Sequence, residues 1–203
     1  MILLQNPDLP TATDAIEIDK AIITINNYLK NSIWWLNYAY GRAFKNRDSK
    51  TGETLFFPEV YLGIQNKTER YINILPDNDK RGQCFFYVSK ETITEYATGQ
   101  YNFLNYDVSI IFSVNMDLIK RSLLDTEIYQ HNLIAQVRNV LIRKMLGNFF
   151  TIKINTIDFS FDTVFSEFNI PKPEQLERAP YSHFRINCII SMQESCPAPS
   201  VDL

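Results

Sequence analysis

The chain has 203 residues, which is long enough to bury the core of one domain without metal ions or disulfides. Hydrophobic residues make up 45% and charged residues 21% of the sequence, and this balance excludes a largely disordered chain. A net charge of −3 excludes a general attraction to nucleic acid or to an anionic membrane, so any such contact must be a local patch.

The first residues and the cysteines predict an intracellular protein. Residues 1–7 lack the pattern of a signal peptide, and no apolar run approaches the roughly 20 residues of a membrane-spanning helix. Cys84, Cys188 and Cys196 form neither a CxxC pair nor a metal-ligand set. We therefore expect free thiols in a reducing compartment.

A first helix is predicted after an extended arm at residues 1–13. Asp14 can cap the helix, and Glu17 completes a capping box three residues later. Apolar residues then recur at helical spacing, namely Ile18, Ile22, Ile25, Leu29, Ile33 and Leu36. Residues 34–40 fit either the last turns of this helix or the start of a strand.

Residues 41–54 predict a long, exposed and basic loop or hairpin tip, because two glycines occur among four cations. These cations are Arg42, Lys45, Arg47 and Lys50. Such a loop suits contact with a nucleic-acid backbone or an acidic partner, and a solvated loop is the simpler alternative.

Strand-like runs follow at residues 55–64, 71–75 and 83–90, separated by turn signals. The clearest strand runs from Tyr106 to Val114, where alternation predicts one buried face and one half-polar face. A second long helix is predicted from about Asp125, its cap, to Leu146.

The last third of the chain predicts two more strands. Residues 149–161 alternate with a slip near Thr156 that indicates a bulge. Residues 182–192 place five apolar side chains on one face and His183, Arg185 and Asn187 on the other. The order of elements predicts an α+β fold, in which two long helices pack on one face of an antiparallel sheet and the polar strand faces look outward.

We interpret residues 14–193 as a single domain and residues 194–203 as a flexible tail.

The sequence contains no recognisable catalytic or cofactor-binding motif. His131 and His183 lack metal-ligand partners at the usual spacings. Ser182 and His183 point to opposite faces of a strand, so they are badly placed to form a catalytic pair. We therefore expect neither an enzyme nor a cofactor.

Three carboxylates near one strand leave an alternative open. Asp158, Asp162 and Glu167 suit a hard cation in principle, and solvated charges are the simpler interpretation.

An aromatic cluster formed by Trp34, Trp35, Tyr38 and Tyr40 is either part of the core or an interface for another copy or a partner. The adjacent tryptophans cannot both point inward from a regular helix or strand, so we expect at least one of them to be partly exposed or to be buried by a neighbouring subunit.

This order of elements resembles the tail-terminator and neck-ring proteins of tailed bacteriophages over roughly residues 14–193. The stretches most similar to that family are the strand 106–114, which leads towards the long helix, and the closing strand 181–190, which follows a connection with two prolines. The segment 55–100 is longer than in smaller tail terminators, which leaves the position within the neck or tail open.

The resemblance implies a structural virion subunit that forms a homo-oligomeric ring, is assembled in the host cytoplasm, and connects head and tail. Its implied partners are further copies of itself and the neighbouring neck, portal or tail proteins, with no membrane and no small-molecule substrate. Local DNA contact through the basic loop is a further hypothesis. The alternatives are a non-catalytic binding or regulatory module and, as a weaker one, a metal-dependent hydrolase that uses the Asp158 region.

Overall fold

The computed structural model describes residues 15–48, 55–65, 68–95, 102–122, 128–144, 148–170 and 173–194. Its strands are β1 (Tyr38–Asp48), β2 (Leu55–Gln65), β3 (Thr68–Asn73), β4 (Gly82–Glu95), β5 (Asn102–Asn115), β6 (Phe150–Asp158) and β7 (Tyr181–Gln193). Its helices are α1 (Glu17–Ser32), α2 (Met116–Ser122), α3 (Gln130–Asn139), α4 (Phe161–Val164) and α5 (Pro173–Leu176). A π-helical turn at Val140–Lys144 continues α3.

The strands form one mixed sheet in the order β3-β2-β1-β4-β5-β7-β6. Five neighbouring pairs are antiparallel, and β1 and β4 are parallel. The α+β class is therefore confirmed, whereas the prediction of an antiparallel sheet is wrong at this one pair. The cause is the meander β1–β2–β3, after which residues 74–81 return the chain so that β4 runs alongside β1 in the same direction. A parallel pair requires such a crossover, and the alternation of apolar residues does not reveal it.

The larger core lies between the sheet and the helices α1, α2 and α3. α1 contributes the predicted apolar stripe, in which Ile25 and Leu29 are fully buried. Alternate residues of the central strands pack against this layer, namely Cys84, Phe86, Val108, Ile110, Phe112, Phe184, Ile186, Cys188 and Ile190. Each large side chain buried in this way stabilises the fold by roughly 1.5–3 kcal/mol.

A smaller core lies on the opposite face of the sheet, under the segment that carries α4 and α5. Phe168 of this segment packs edge-on against Phe85 and Tyr87, with ring centroids 5.8 and 5.4 Å apart. The prediction that the polar strand faces look outward is wrong here, because His183 and Arg185 are only 5% and 7% exposed. Helices as short as α4 and α5 leave no periodic pattern from which this cover could be predicted.

Both predicted long helices are shorter than their apolar patterns indicate. α1 ends at Ser32, and Ile33 and Leu36 are buried in the turn that follows. The second helix, predicted over about residues 125–146, begins at Gln130. The predicted caps Asp14 and Asp125 lie outside the described residues, as do the arm 1–13 and all of the tail except Glu194.

The strand predictions are closer to the structure. The predicted runs 55–64, 106–114 and 182–192 correspond to β2, β5 and β7. The bulge near Thr156 is confirmed, because the register between β6 and β7 shifts between Ile154 and Thr156.

The stretch 41–54, predicted as a basic loop or hairpin tip, begins as a strand of a hairpin, and its residues 49–54 lie outside the described residues. Residues 41–48 belong to β1, which pairs with β2 as a long antiparallel hairpin. Arg42, Lys45 and Arg47 are therefore strand residues, while Lys50 lies outside the described residues. Pairing with β2 holds this polar stretch extended, and local composition does not reveal a long-range pairing of that kind.

Candidate functional site

The two adjacent tryptophans lie in different environments. Trp35 is fully buried, its ring meets Phe112 edge-on at 6.3 Å, and its Nε1 donates to Gln136 Oε1 at 3.1 Å. Trp34 is 42% exposed. The prediction that one of the two indoles is partly exposed is confirmed, and Trp35 belongs to the core.

The start of β4 fixes the positions of both indoles. A Cβ atom added at Gly82 would lie 2.6 Å from Cε3 and 3.1 Å from the carbonyl oxygen of Trp35, so only glycine allows this approach. The guanidinium of Arg81 lies 5.8 Å from the ring centroid of Trp34, within reach of a cation–π contact.

Tyr38 and Tyr40 stack with ring centroids 5.9 Å apart and together bind Lys80. Lys80 Nζ lies 4.3 Å from the ring centroid of Tyr38, donates to Tyr40 Oη at 3.2 Å and pairs with Asp77 at 2.9 Å. Burial alone lowers the pKa of Lys80, but the hydrogen bonds to Asp77 and Tyr40 outweigh burial and raise the pKa. Tyr40 is buried, so among the four aromatic candidates Trp34 and Tyr38 are the ones that reach the surface.

Arg42 is separated from the other basic candidates. Its guanidinium pairs with Asp19 of α1 at 3.4 Å and lies 5.0 Å from the ring centroid of Phe44. This charge is therefore partly neutralised on the helix side of the sheet.

Lys45 and Arg47 are exposed and, being two residues apart on β1, share the other face of the strand. We call them the hairpin cations. Lys45 Nζ lies 5.7 Å from the ring centroids of both Phe56 and Tyr87.

Protein partners occupy two of the three carboxylates considered for a cation. Arg185 donates to both carboxylate oxygens of Glu167, at 2.5 and 2.9 Å. Burial alone raises the pKa of Glu167, but the hydrogen bond and charge of Arg185 outweigh burial and lower the pKa. Asp158 accepts a hydrogen bond from Asn187 Nδ2 at 2.6 Å. No group of three or more His, Cys, Asp or Glu side chains within the described residues is arranged to hold a metal ion.

His183 is bonded to Ser113 and not to its neighbour Ser182. Its Nε2 donates to the Leu176 carbonyl at 3.0 Å, which leaves Nδ1 of the neutral ring to accept from the Ser113 hydroxyl at 3.1 Å. Burial lowers the pKa of His183 to about 4. An imidazole with this pKa is a weak general base near neutral pH, so the pair is poorly suited to activating a nucleophile.

A cleft of about 500 Å³ lies beside His183. Three aromatic rings line it together with the exposed carboxylates Asp162 and Glu177. The rings are those of Phe159, Phe161 and Tyr181. None of the described side chains that line this His183 cleft is lysine or arginine. Aromatic faces and carboxylates together suit a cationic group.

Sequence reasoning missed both the His183 cleft and the cations that bind the aromatic cluster. The cleft combines segments that precede and follow α5 with residues near the start of α3. Lys80 lies 40 positions from Tyr40, its partner. Local spacing carries no signal for either arrangement.

Comparison with protein-family models gave no match, and comparison with curated proteins gave no significant match. Within the described part of the chain, no helix is long and apolar enough to cross a membrane.

Proposed function

We propose that this chain is a structural subunit that forms a homo-oligomeric ring in the neck or tail of a tailed bacteriophage and connects head and tail. In this role the protein belongs to the virion and is assembled in the host cytoplasm. Its partners are further copies of itself and the adjoining portal, neck or tail proteins. The order of α1, the β1–β2 hairpin, the central strands, α3 and the closing strand β7 supports this proposal.

The observation that carries the proposal is the placement of exposed aromatic side chains at both ends of the sheet. On the β1–β3 meander, Phe44 and Tyr71 are 51% and 50% exposed. At the other end, Phe149 and Phe159 flank β6 and are 48% and 45% exposed. Exposed aromatic side chains are typical of surfaces that a partner protein covers.

The two edges of the sheet consist of different strands, so a contact between them joins unlike surfaces of two copies. A contact of this kind is heterologous, and it generates a closed ring when the rotation between subunits divides a full turn. A subunit of a ring requires two such surfaces on well-separated parts of its fold.

The proposal is tested by measuring the mass of the purified protein with light scattering coupled to gel filtration, followed by negative-stain imaging. We expect closed rings. Tyr71→Ser and Phe159→Ser should each lower the assembled mass, because each removes an exposed ring from one edge of the sheet. Tyr28→Ser is the matched control, since Tyr28 is 38% exposed on α1, away from both edge strands.

A protein that stays monomeric at every concentration would contradict the ring and favour the binding-module alternative. Antibody labelling tests the location separately. Labelling at the neck or tail of the phage particle is expected, and particles without label would contradict a place in the virion.

A further inference from the structure

We propose that the contact between subunits is made by the hairpin cations of one copy, Lys45 and Arg47, which dock into the His183 cleft of the next copy. The inference rests on the proposed function for its occupant, a second copy of this chain. It goes beyond the proposed function by naming the two surfaces that meet between neighbouring copies.

The chemistry of the cleft fits a long cationic side chain. Asp162 and Glu177 supply carboxylates, which form strong, charge-assisted hydrogen bonds with lysine or arginine. The aromatic walls supply ring faces that attract a cation. Arg178 follows Glu177 in the chain but does not line the cleft, so the cleft itself carries negative charge alone.

The hairpin presents the complementary charge. Lys45 and Arg47 are exposed on one face of β1, and Arg42 lies on the opposite face, near Asp19 of α1. In a protein with a net charge of −3, two exposed cations on one face of a strand are a local exception that an acidic surface can recognise.

The strand register separates the two surfaces within one chain. Tyr38, Gln83, Ser113 and His183 are successive partners across β1, β4, β5 and β7, so they form one row of the sheet. Arg47 lies nine residues beyond Tyr38 on β1, about 30 Å along the strand direction at roughly 3.3 Å per residue. The hairpin cations therefore cannot reach the cleft of their own chain.

The two surfaces are also displaced sideways. β4 and β5 lie between β1 and β7, a displacement of about 14 Å at roughly 4.8 Å per strand spacing. The hairpin cations and the cleft thus lie near diagonal corners of the sheet. A contact between such corners of identical copies is head-to-tail, so it continues from copy to copy until a ring closes or a filament grows.

The experiment uses three variants of the full chain. The hairpin variant is Lys45→Glu with Arg47→Glu, and the cleft variant is Asp162→Lys with Glu177→Lys. The control reverses two exposed cations of α2, Lys120→Glu with Arg121→Glu. Light scattering gives the assembled mass, and thermal unfolding followed by circular dichroism confirms that each variant is folded.

We expect the hairpin variant and the cleft variant each to be monomeric when alone, and the control to assemble as the wild type does. A mixture of the hairpin and cleft variants should assemble again, because every contact between unlike copies then joins opposite charges. A merely structural role for these side chains would not produce this recovery on mixing.

The proposed contact is ruled out if the hairpin variant or the cleft variant alone assembles like the wild type, or if the mixture of the two remains monomeric. Rings that form regardless of these substitutions would remove this contact and leave the proposed function standing. Open filaments that depend on the charges would retain the contact and remove the ring. If the hairpin variant assembles normally but loses retention on a polyanionic column, the hairpin cations recognise nucleic acid and the inference fails.

Discussion

His183 and Arg185 lie buried on the same face of β7, and each is held by different contacts. His183 has no acidic partner in its hydrogen bonds and stays neutral, with its pKa lowered to about 4. Arg185 donates to two carboxylate oxygens of Glu167, which is its counter-ion. Each residue therefore makes stability depend on a different condition, one on pH and the other on an intact ion pair.

Acidification should destabilise the protein through His183. The unfolded chain takes up a proton on this imidazole below pH 6.5, whereas the folded chain resists protonation down to about pH 4. The folded state binds fewer protons in this window, so stability falls as pH falls, by up to about 3 kcal/mol between pH 6.5 and pH 4.

Urea unfolding of the wild type and His183→Gln at several pH values measures this effect. The variant should be less stable at neutral pH, and the difference between the two proteins should shrink as the pH approaches 4. Carboxylates that titrate in the same range affect both proteins equally and cancel in the comparison. A difference that stays constant with pH would contradict the prediction.

Removing the charge of Glu167 should be strongly destabilising. In Glu167→Gln, the Arg185 guanidinium, whose side chain is 9% exposed, keeps its charge without a counter-ion. We expect a loss of about 3 kcal/mol in the free energy of unfolding, measured by chemical denaturation. The exposed Asp79→Asn is the control and should change stability by less than about 0.5 kcal/mol. Equal effects of the two substitutions would show that the ion pair contributes little.

At the start of β4, Gly82 leaves no room for a larger side chain. Gly82→Ala places a methyl group against the fully buried Trp35. Because the packed core cannot expand to accept this group, we expect the free energy of unfolding to fall by about 3 kcal/mol. Gly41→Ala on β1 is the matched control, because nothing lies within 4 Å of its added Cβ.

Midpoints of thermal or urea unfolding measure both glycine variants. Gly41→Ala should leave stability unchanged or raise it by up to about 0.5 kcal/mol, since alanine reduces the entropy of the unfolded chain. Comparable losses at the two positions would contradict the role assigned to the Trp35 contact.

The elements that the sequence predicts well are those whose signal is local. The alternation in β5 and β7 reflects two buried faces, and the slip at Thr156 reflects a bulge within one strand. The parallel neighbour of β1 and the cover over His183 depend on segments distant in sequence, so the pattern within a single strand contains no information about either. The position at which α1 ends could not be predicted for a related reason. Ile33 and Leu36 are buried after the helix has ended, so their apolar spacing does not mark its last residue.

The candidate site was predictable only in part. The exposure of one tryptophan followed from geometry, since adjacent side chains diverge. The aromatic rings are bound by Lys80 and Arg81, which follow the β1–β3 meander in the chain. These partners could not be assigned without the fold, because the whole meander separates them from the rings in sequence. The acidic lining of the His183 cleft could not be predicted, because its two carboxylates, Asp162 and Glu177, lie 15 positions apart in the chain.

For the whole molecule, the response of assembly to salt distinguishes a contact between charged groups from a contact between exposed aromatic rings. The screening length falls from about 10 Å at 0.1 M salt to about 3 Å at 1 M, which weakens attraction between the hairpin cations and the His183 cleft. We therefore expect the assembled mass, measured by light scattering, to fall as sodium chloride is added. A mass that rises with a salting-out ion such as sulfate, and does not respond to sodium chloride, would instead assign the contact to the exposed aromatic rings.

The unlike environments of the two tryptophans provide an optical readout of the whole molecule. The sequence contains two tryptophans, and only Trp34 is accessible to an aqueous quencher in the folded subunit. Covering Trp34 in an assembly would reduce quenching without shifting the emission of Trp35, whereas unfolding would shift the Trp35 emission to longer wavelength. Quenching and emission wavelength, recorded from the same sample, therefore distinguish a change in the cover over Trp34 from a loss of the fold.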